Sequence, residues 1–438
     1  AVFGFDPGGW FVSIGAAAAL ATAFLTFKLV AAILPSRRFL VPIFLLSMWG
    51  GGLLVATSVV QNISTGQPAF SNPLVVDPFK GWWFLSWGRN LLLPNEAVYH
   101  LLVVTAWLAV VQNRLWPAVG SITLLAATHP FSGIQHLAIL GAWLTWRMIA
   151  DRRFPPELAA VLAVTGCLLG YYFGYLPSFP AHRAIHESWS LDWKLPVVSA
   201  AAAYGPIGLL AGLRLFHDRR QLPRETVFLA IAAAVSLALA KHEWFLPSRQ
   251  PLHFTRGYVW MPLFLMAAPL LQHWFEQWRL HFSKVAANIS VAAMLVAGSV
   301  DNAVWLEQTS IGQHQTEILV GLSPSLREAF KVLDTRDRTG TVLVSNVTAG
   351  EQKEGNNYLA RTYTRMIPLI GHPHLTPDFT RLQQAVIDWE DAEKRNPSID
   401  RVDVLIVNRI TTGGAPWVKP ADWRLIHRNA DVAVLERR

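Results

Sequence analysis

The chain has 438 residues, 52% of them hydrophobic and only 15% charged. A soluble chain carries about 25% charged residues, so this composition excludes an ordinary soluble enzyme and predicts a polytopic membrane protein with a soluble tail. The net charge of +8 fits the Lys/Arg excess of cytoplasmic membrane loops. Because those residues lie in short loops rather than on one soluble face, no nucleic-acid partner is expected. The single cysteine, Cys167, sits in an apolar run and excludes a disulfide framework or a cysteine-based metal site within the chain.

In chain order, the opening AVFGFDPGGW has no basic segment ahead of an apolar run, so no signal peptide is expected. A membrane helix needs about 20 apolar residues. Candidate runs fall at 11–34, 40–60, 96–111, 115–128, 131–149, 158–176, 197–215, 226–241, 257–272 and 285–303. Most of the 19 tryptophans lie near the ends of these runs, as in an aromatic belt at the lipid–water boundary. The fifth and fourth runs meet at Thr128-His129-Pro130, where proline breaks the helix; two half-length elements or a tight helical hairpin are both compatible.

Positive charge then sets the sides. Arg37, Arg38, Arg114, Arg147, Arg152, Arg153, Arg214, Arg219, Arg220, Arg224, Arg279 and Lys284 fall in one set of loops, expected in the cytoplasm. Lys80, Arg89, Arg183, Lys194, Lys241, Arg249 and Arg256 fall in the other, expected outside with the tail. This requires ten spans and places Ala1 outside, so at least one further span with an external loop is expected upstream. The expected location is a cell membrane, crossed many times, with the C-terminal domain extracytoplasmic.

Four external segments carry chemistry. The first, 77–90 (DPFKGWWFLSWGRN), has three tryptophans in six residues. It suits an interfacial re-entrant element or a surface for a lipid tail or sugar ring, with Trp82 and Arg89 as candidate binding residues. At the mouth of the following span, Glu96 and His100 are four apart and share a helix face. Second, His129 at the helix break is either a hydrogen-bonded helix end or a ligand contact. His136, seven residues on, shares its face in a straight helix.

Third, the 177–196 loop carries His182, Arg183, His186, Glu187, Asp192 and Lys194. His182 and His186 share a face, but zinc needs further ligands and no H-E-x-x-H is present, so no metal site is assigned. Glu187 is a candidate general base and Arg183 a candidate binding residue. Fourth, and densest, residues 241–256 read KHEWFLPSRQPLHFTR between two apolar runs. Arginine pairs well with phosphate oxygens, so Arg249 and Arg256 are candidate phosphate ligands beside His242. Glu243 and His253 are candidate proton-transfer residues, His253 to orient or protonate the phosphate oxygen. The same arginines would also serve as snorkelling anchors.

Beyond about residue 304 the composition becomes more polar. Short apolar runs at 341–345, 402–407, 425–427 and 432–435 predict strands, and 323–333 and 377–394 predict helices, with Thr376 as N-cap of the second. The fold class expected is mainly α, with a transmembrane helical domain over 1–303 and a small extracytoplasmic α/β domain over 304–438. The tail has no phosphate-binding loop of Walker or dinucleotide spacing. Its segment 361–374 (RTYTRMIPLIGHPH) faces the membrane site or is simply a polar loop.

The segments THPFSGI (128–134), the 241–256 loop running into YVWMP (258–262), and YLARTYTR (358–365) followed by Gly371, His372 and Thr376 resemble bacterial membrane glycosyltransferases of the GT-C type. The resemblance is architectural over most of the chain and modest in motif. It implies transfer of a sugar from a polyprenyl-phosphate donor outside the cytoplasm, with lipid-linked sugar and membrane lipid as partners. It also implies a carboxylate in the first external loop, as base or as ligand to a divalent metal; only a remnant holding Asp6 represents that loop here. A transporter or flippase of a lipid-linked anion would use the same cations, and a non-catalytic scaffold would use the tail. The sugar, the acceptor and the oligomeric state are not legible.

Overall fold

A run of three glycines, Gly50 to Gly52, breaks the second apolar segment into α2 (Leu40–Trp49) and α3 (Leu54–Ser64), bent by 45°. The computed structural model describes residues 7–180, 182–183, 193–219, 221–248, 250–315, 323–336, 339–346, 355–371, 376, 378–392, 397, 399–408 and 421–438. The chain divides into two compact units, one of 4–171 with 190–311, the other of 1–3, 172–189 and 312–438.

The larger unit is helical. Around α2 and α3 it holds α1 (Pro7–Ile33), the helical turn α4 (Trp87–Asn90), α5 (Pro94–Val111), α6 (Leu115–Thr128), α7 (Pro130–Asp151) and α8 (Pro156–Leu169). It continues with α9 (Val197–Asp218), α10 (Arg224–Ala240), α11 (Trp260–His281) and α12 (Lys284–Gln315). Helix α1 packs along α5, α5 on α6, α6 on α7, and α11 against α9 and α10. Trp107 of α5 and Trp143 of α7 meet Phe228 of α10 edge-on, with centroids 5.9 and 6.4 Å apart.

Five helical stretches are long and apolar enough to cross a membrane: Gly9–Ile33, Pro94–Val111, Pro156–Ser178, Val197–Asp218 and Lys284–Thr309. The bent α2–α3 pair makes a sixth if counted as one span. The ten expected spans therefore reduce to five or six among the described residues. The shortfall has physical causes. At 1.5 Å per residue, α10 reaches only about 25 Å and α6 about 21 Å, short of a hydrocarbon core of about 30 Å. Helix α11 is long enough, but its last turns carry Gln272, His273, Glu276, Gln277 and Arg279. Helix α7 carries Gln135, His136, Arg147 and Asp151.

The α2–α3 break is clasped from α12. A side chain on Gly52 would lie 2.1 Å from the Ala202 carbonyl, and one on Gly50 2.2 Å from that of Leu46, so the backbone approach requires glycine. The Asp301 carboxylate accepts the N–H groups of Leu54 (3.1 Å) and Val55 (2.9 Å), closing the start of α3. Asn302 donates through Nδ2 to the carbonyls of Trp49 (2.7 Å) and Gly50 (2.9 Å), closing the end of α2. Both are buried. Backbone groups freed by a break away from water cost several kcal/mol unless satisfied inside the protein, and these two residues satisfy them.

In the smaller unit, the tail forms a five-stranded sheet, order β2-β1-β3-β5-β4. The strands are β1 (Thr341–Asn346), β2 (Ile367–Pro368), β3 (Val404–Asn408), β4 (Trp423–Arg428) and β5 (Val432–Arg437). β1 runs parallel to β2 and β3, while β5 is antiparallel to β3 and β4. Alternation along β1 puts Val342 and Val344 against α13 (Pro324–Thr335) and α14 (Gly355–Tyr363). Leu343 faces the other way, toward Val386 and Trp389 of α15 (Phe379–Ala392). The expected strands and both expected helices are present; α14 and β2 were not legible. Helix α15 starts two residues later than expected. The Thr376 hydroxyl accepts the Gly371 N–H at 3.0 Å, and Pro377 lies outside the described residues.

Candidate functional site

Three loops of the larger unit are tied together by backbone hydrogen bonds. Leu252 N–H donates to the Trp193 carbonyl (2.9 Å), and Arg256 N–H to that of Trp83 (3.0 Å). The Thr255 hydroxyl also donates to Trp83 O, at 2.8 Å. Gln135 of α7 reaches across to Ser236 of α10 and to the Phe254 carbonyl, both at 2.9 Å. These bonds bring residues far apart in sequence around one imidazole, that of His253.

The His253 ring packs against Trp193 (centroids 5.1 Å), Phe131 (5.1 Å), Trp83 (5.6 Å) and His129 (6.4 Å). Trp83 and Trp193 stack at 5.3 Å with planes 18° apart, and Phe79 adjoins both. Tyr99 stacks on His129 at 4.6 Å. Phe79 is exposed and the other rings are half-buried, so the cluster forms an aromatic surface open to a ligand.

Beneath it lies a buried ion pair between Arg256 and Glu96, at the start of α5. The Arg256 guanidinium also donates to His253 Nδ1 (2.9 Å) and to the His253 carbonyl (3.1 Å). Burial pulls its pKa down to about 10, so it stays a cation at neutral pH. The second Glu96 oxygen, Oε2, is buried and has no hydrogen-bond partner among the described residues. His100 spans the Glu96 and Arg256 carbonyls with its two ring nitrogens, at 2.7 and 2.8 Å.

The local backbone is strained. Ten non-glycine residues among those described have positive φ, and six of them are here: Phe79, Lys80, Trp83, Leu85, Gln250 and Arg256. Such conformations persist only where the surroundings hold them, and they collect at ligand sites. Gly257, at φ 77°, closes the loop where a side chain would lie 2.3 Å from the Trp87 ring.

Of the residues chosen from sequence, the structure brings His129, His253 and Arg256 together. Arg256 is bound internally to Glu96 and His253 rather than extended as a phosphate clamp. His242 is buried, donating to the Leu239 carbonyl at 2.6 Å, and Glu243 pairs with Lys241 at 2.6 Å. Arg89 is also committed internally: to Asp77 (2.7 Å), to Asn302 (2.5 Å) and to the Asp301 carbonyl (2.9 Å). Trp82 meets Trp305 edge-on. These contacts make Arg89 and Trp82 part of the α2–α3 bracket. Arg183, in the smaller unit, is exposed and donates to the Pro177 carbonyl at 3.0 Å. Glu187, His186, Arg249, His372 and His374 lie outside the described residues. Among the described residues, no three His, Cys, Asp or Glu side chains come together as a metal site.

Glu96, Trp83, Trp193, Tyr99 and Phe131 were not chosen as site residues. Glu96 had a legible signal, its i, i+4 spacing to His100; Trp193 had none. No protein-family model matches the chain, and no curated protein matches it in sequence.

Proposed function

We propose that the chain is a multi-pass membrane protein of the glycosyltransferase type, taking a sugar from a polyprenyl-phosphate carrier at the extracytoplasmic face. The observation that carries this reading is the stacked Trp83–Trp193 pair beside His253, on a bundle of apolar, membrane-length helices. The C–H face of a pyranose is apolar and packs on flat aromatic rings, while its rim needs hydrogen-bonding groups. A prenyl tail would lie along the apolar helices. Glu96 and Arg256 act behind the surface and position His253.

A transporter reading gains from the broken α2–α3 span, since transporters place half-helix N-termini at anionic substrates. Here Asp301 already fills the α3 N-terminus, which weighs against it.

The test is binding and turnover of a polyprenyl-phosphate-linked sugar by the full chain in lipid nanodiscs. Trp83→Ala and Trp193→Ala should each weaken binding about tenfold, the scale of an aromatic stacking contact. Wild-type affinity in both variants, or no binding by the wild type, overturns the proposal.

A further inference from the structure

Trp244, Phe245 and Leu246 are three consecutive large apolar side chains, 69, 62 and 57% exposed, just beyond the end of α10. An exposed apolar run of that length is unfavourable in water and marks an interaction surface. The turn that carries it is well made. Trp244 N–H donates to the Lys241 carbonyl (3.1 Å), and the N–H groups of Phe245 and Leu246 to that of His242 (3.0 and 2.8 Å). Beneath the tip, the Lys241 ammonium donates to the Leu195 carbonyl and to the Glu243 carboxylate, both at 2.6 Å. It also lies 5.0 Å from the centre of the Trp244 ring. The Lys241 and Glu243 side chains are only 12 and 10% exposed. The tip therefore turns apolar surface outward and keeps its charges paired underneath, as lipid contact requires.

The bond to Leu195 identifies what covers the tip. Leu195 lies two residues before α9, a helix long and apolar enough to cross a membrane. The first residues of α9, Val197 and Val198, are themselves 61 and 58% exposed. Helix α9 has 22 residues and α10 has 17. At 1.5 Å per residue they reach about 33 and about 25 Å. They are joined by the short loop 219–223, both pack on α11, and their far ends meet again at the Lys241–Leu195 bond. Helix α9 clears a hydrocarbon core of about 30 Å, whereas α10 falls about 5 Å short, and Trp244–Leu246 stand in the missing stretch. The outer face of α10, with Val227, Ile231, Ala234 and Ala238 at helical spacing, is apolar from end to end. We propose that the Trp244–Leu246 tip is inserted in the bilayer at the end of α10 opposite Arg224 and completes α10 as a membrane span. The bilayer rather than a second protein is the occupant because the tip is continuous, through Leu195, with the membrane-length helix α9. Tryptophan is favoured at that depth. This placement needs only a multi-pass membrane protein and holds whatever the aromatic surface binds. It also sets the level of that surface. The His242 ring meets Phe254 edge-on at 5.6 Å, and Phe254 meets Phe131 at 5.8 Å, so the cluster around Phe131 stands at the lipid boundary.

The test uses the full chain with its single cysteine removed by Cys167→Ser, reconstituted in dioleoylphosphatidylcholine vesicles. Spin labels are introduced by Phe245→Cys, by Leu246→Cys and, as a reference within α9, by Leu209→Cys, at a side chain 65% exposed. Collision with oxygen, which concentrates in lipid, is compared with collision with a water-soluble nickel chelate. Labels at 245 and 246 should favour oxygen, as the label at 209 does. A preference for the chelate at 245 and 246 puts the tip in water and overturns the proposal. Low rates with both reagents mean a protein contact, a second copy included, and overturn the lipid assignment. A chelate preference at 209 removes the span against which the tip is levelled and overturns it too. Bilayer thickness gives an independent readout. The triple variant Trp244→Ser, Phe245→Ser, Leu246→Ser should unfold at a lower temperature than the wild type in dioleoylphosphatidylcholine. It should match the wild type in the thinner dimyristoleoylphosphatidylcholine, where α10 alone is long enough. An equal loss in both lipids, or a loss in neither, overturns the extension of the span.

Discussion

Asp301 stands at the start of α3 in place of a helical turn, its Oδ2 accepting the Leu54 N–H at 3.1 Å across 247 positions of sequence. Its Oδ1 takes the Val55 N–H at 2.9 Å. Loss of an N-cap costs about 0.5–2 kcal/mol, and a buried unsatisfied donor about 1–3 kcal/mol. Asp301→Ala should therefore destabilise the protein by about 2–4 kcal/mol. Asp301→Asn, which keeps one accepting oxygen, should lose roughly half as much. Thermal unfolding in detergent measures both. An unchanged midpoint for the alanine variant would mean that Asp301 does not hold the break.

Arg89 and Asp77 form a buried ion pair inside the same bracket. Burial raises the Asp77 carboxyl above its usual range, and Arg89 opposes that rise. Removing one partner leaves the other buried and uncompensated, at about 3–5 kcal/mol. Arg89→Met should show that full loss, and the double variant Asp77→Asn with Arg89→Met should recover much of it. Denaturant unfolding of the four proteins gives the coupling. If the two substitutions simply add, the pair carries no special energy.

Much of the fold was legible because burial writes itself into local pattern. The apolar runs gave the helices, the 341–345 and 432–435 runs gave strands, and the proline at 130 gave the α6–α7 break. Charge roles were harder to read. Arg89 and Arg256 looked alike as cations beside apolar runs, yet each is consumed by a carboxylate, Asp77 twelve positions away and Glu96 at 160. Partner choice over such distances depends on helix packing, which leaves no local trace. The aromatic surface was half legible: the tryptophans of 82–87 stood out, but Trp193 joins them only because the Leu252 N–H holds its carbonyl. The short β2 has two residues and no pattern to read.

Gly257 and Gly66 separate crowding from backbone strain. Both have positive φ, 77° and 74°, but a side chain at 257 meets Trp87 at 2.3 Å, whereas one at 66 meets nothing within 4 Å. Gly66→Ala should cost only about 1 kcal/mol, the backbone term. Gly257→Ala should cost more and, by pushing the adjacent Arg256 off His253, should also weaken ligand binding. Unfolding and binding are measured side by side. Equal effects of the two substitutions on both readouts would show that the Trp87 contact does not hold the loop.

The His129 imidazole supplies a pH dependence whose sign follows from its folded pKa of about 4 against an ordinary 6.5. Between those values the unfolded chain binds the proton and the folded chain does not, so stability rises with pH. The contribution is fully present above about pH 6.5 and is lost as pH falls toward 4. Asparagine at 129 can still accept the Ser132 N–H as an N-cap but does not titrate. His129→Asn should therefore match the wild type near pH 7.5 and gain on it steadily as pH falls from about 6.5 to 4. Unfolding midpoints across that range test this. A constant gap between the two proteins would mean that His129 titrates alike folded and unfolded. Its role as a neutral N-cap, with Nδ1 accepting the Ser132 N–H, would then be untenable at acid pH.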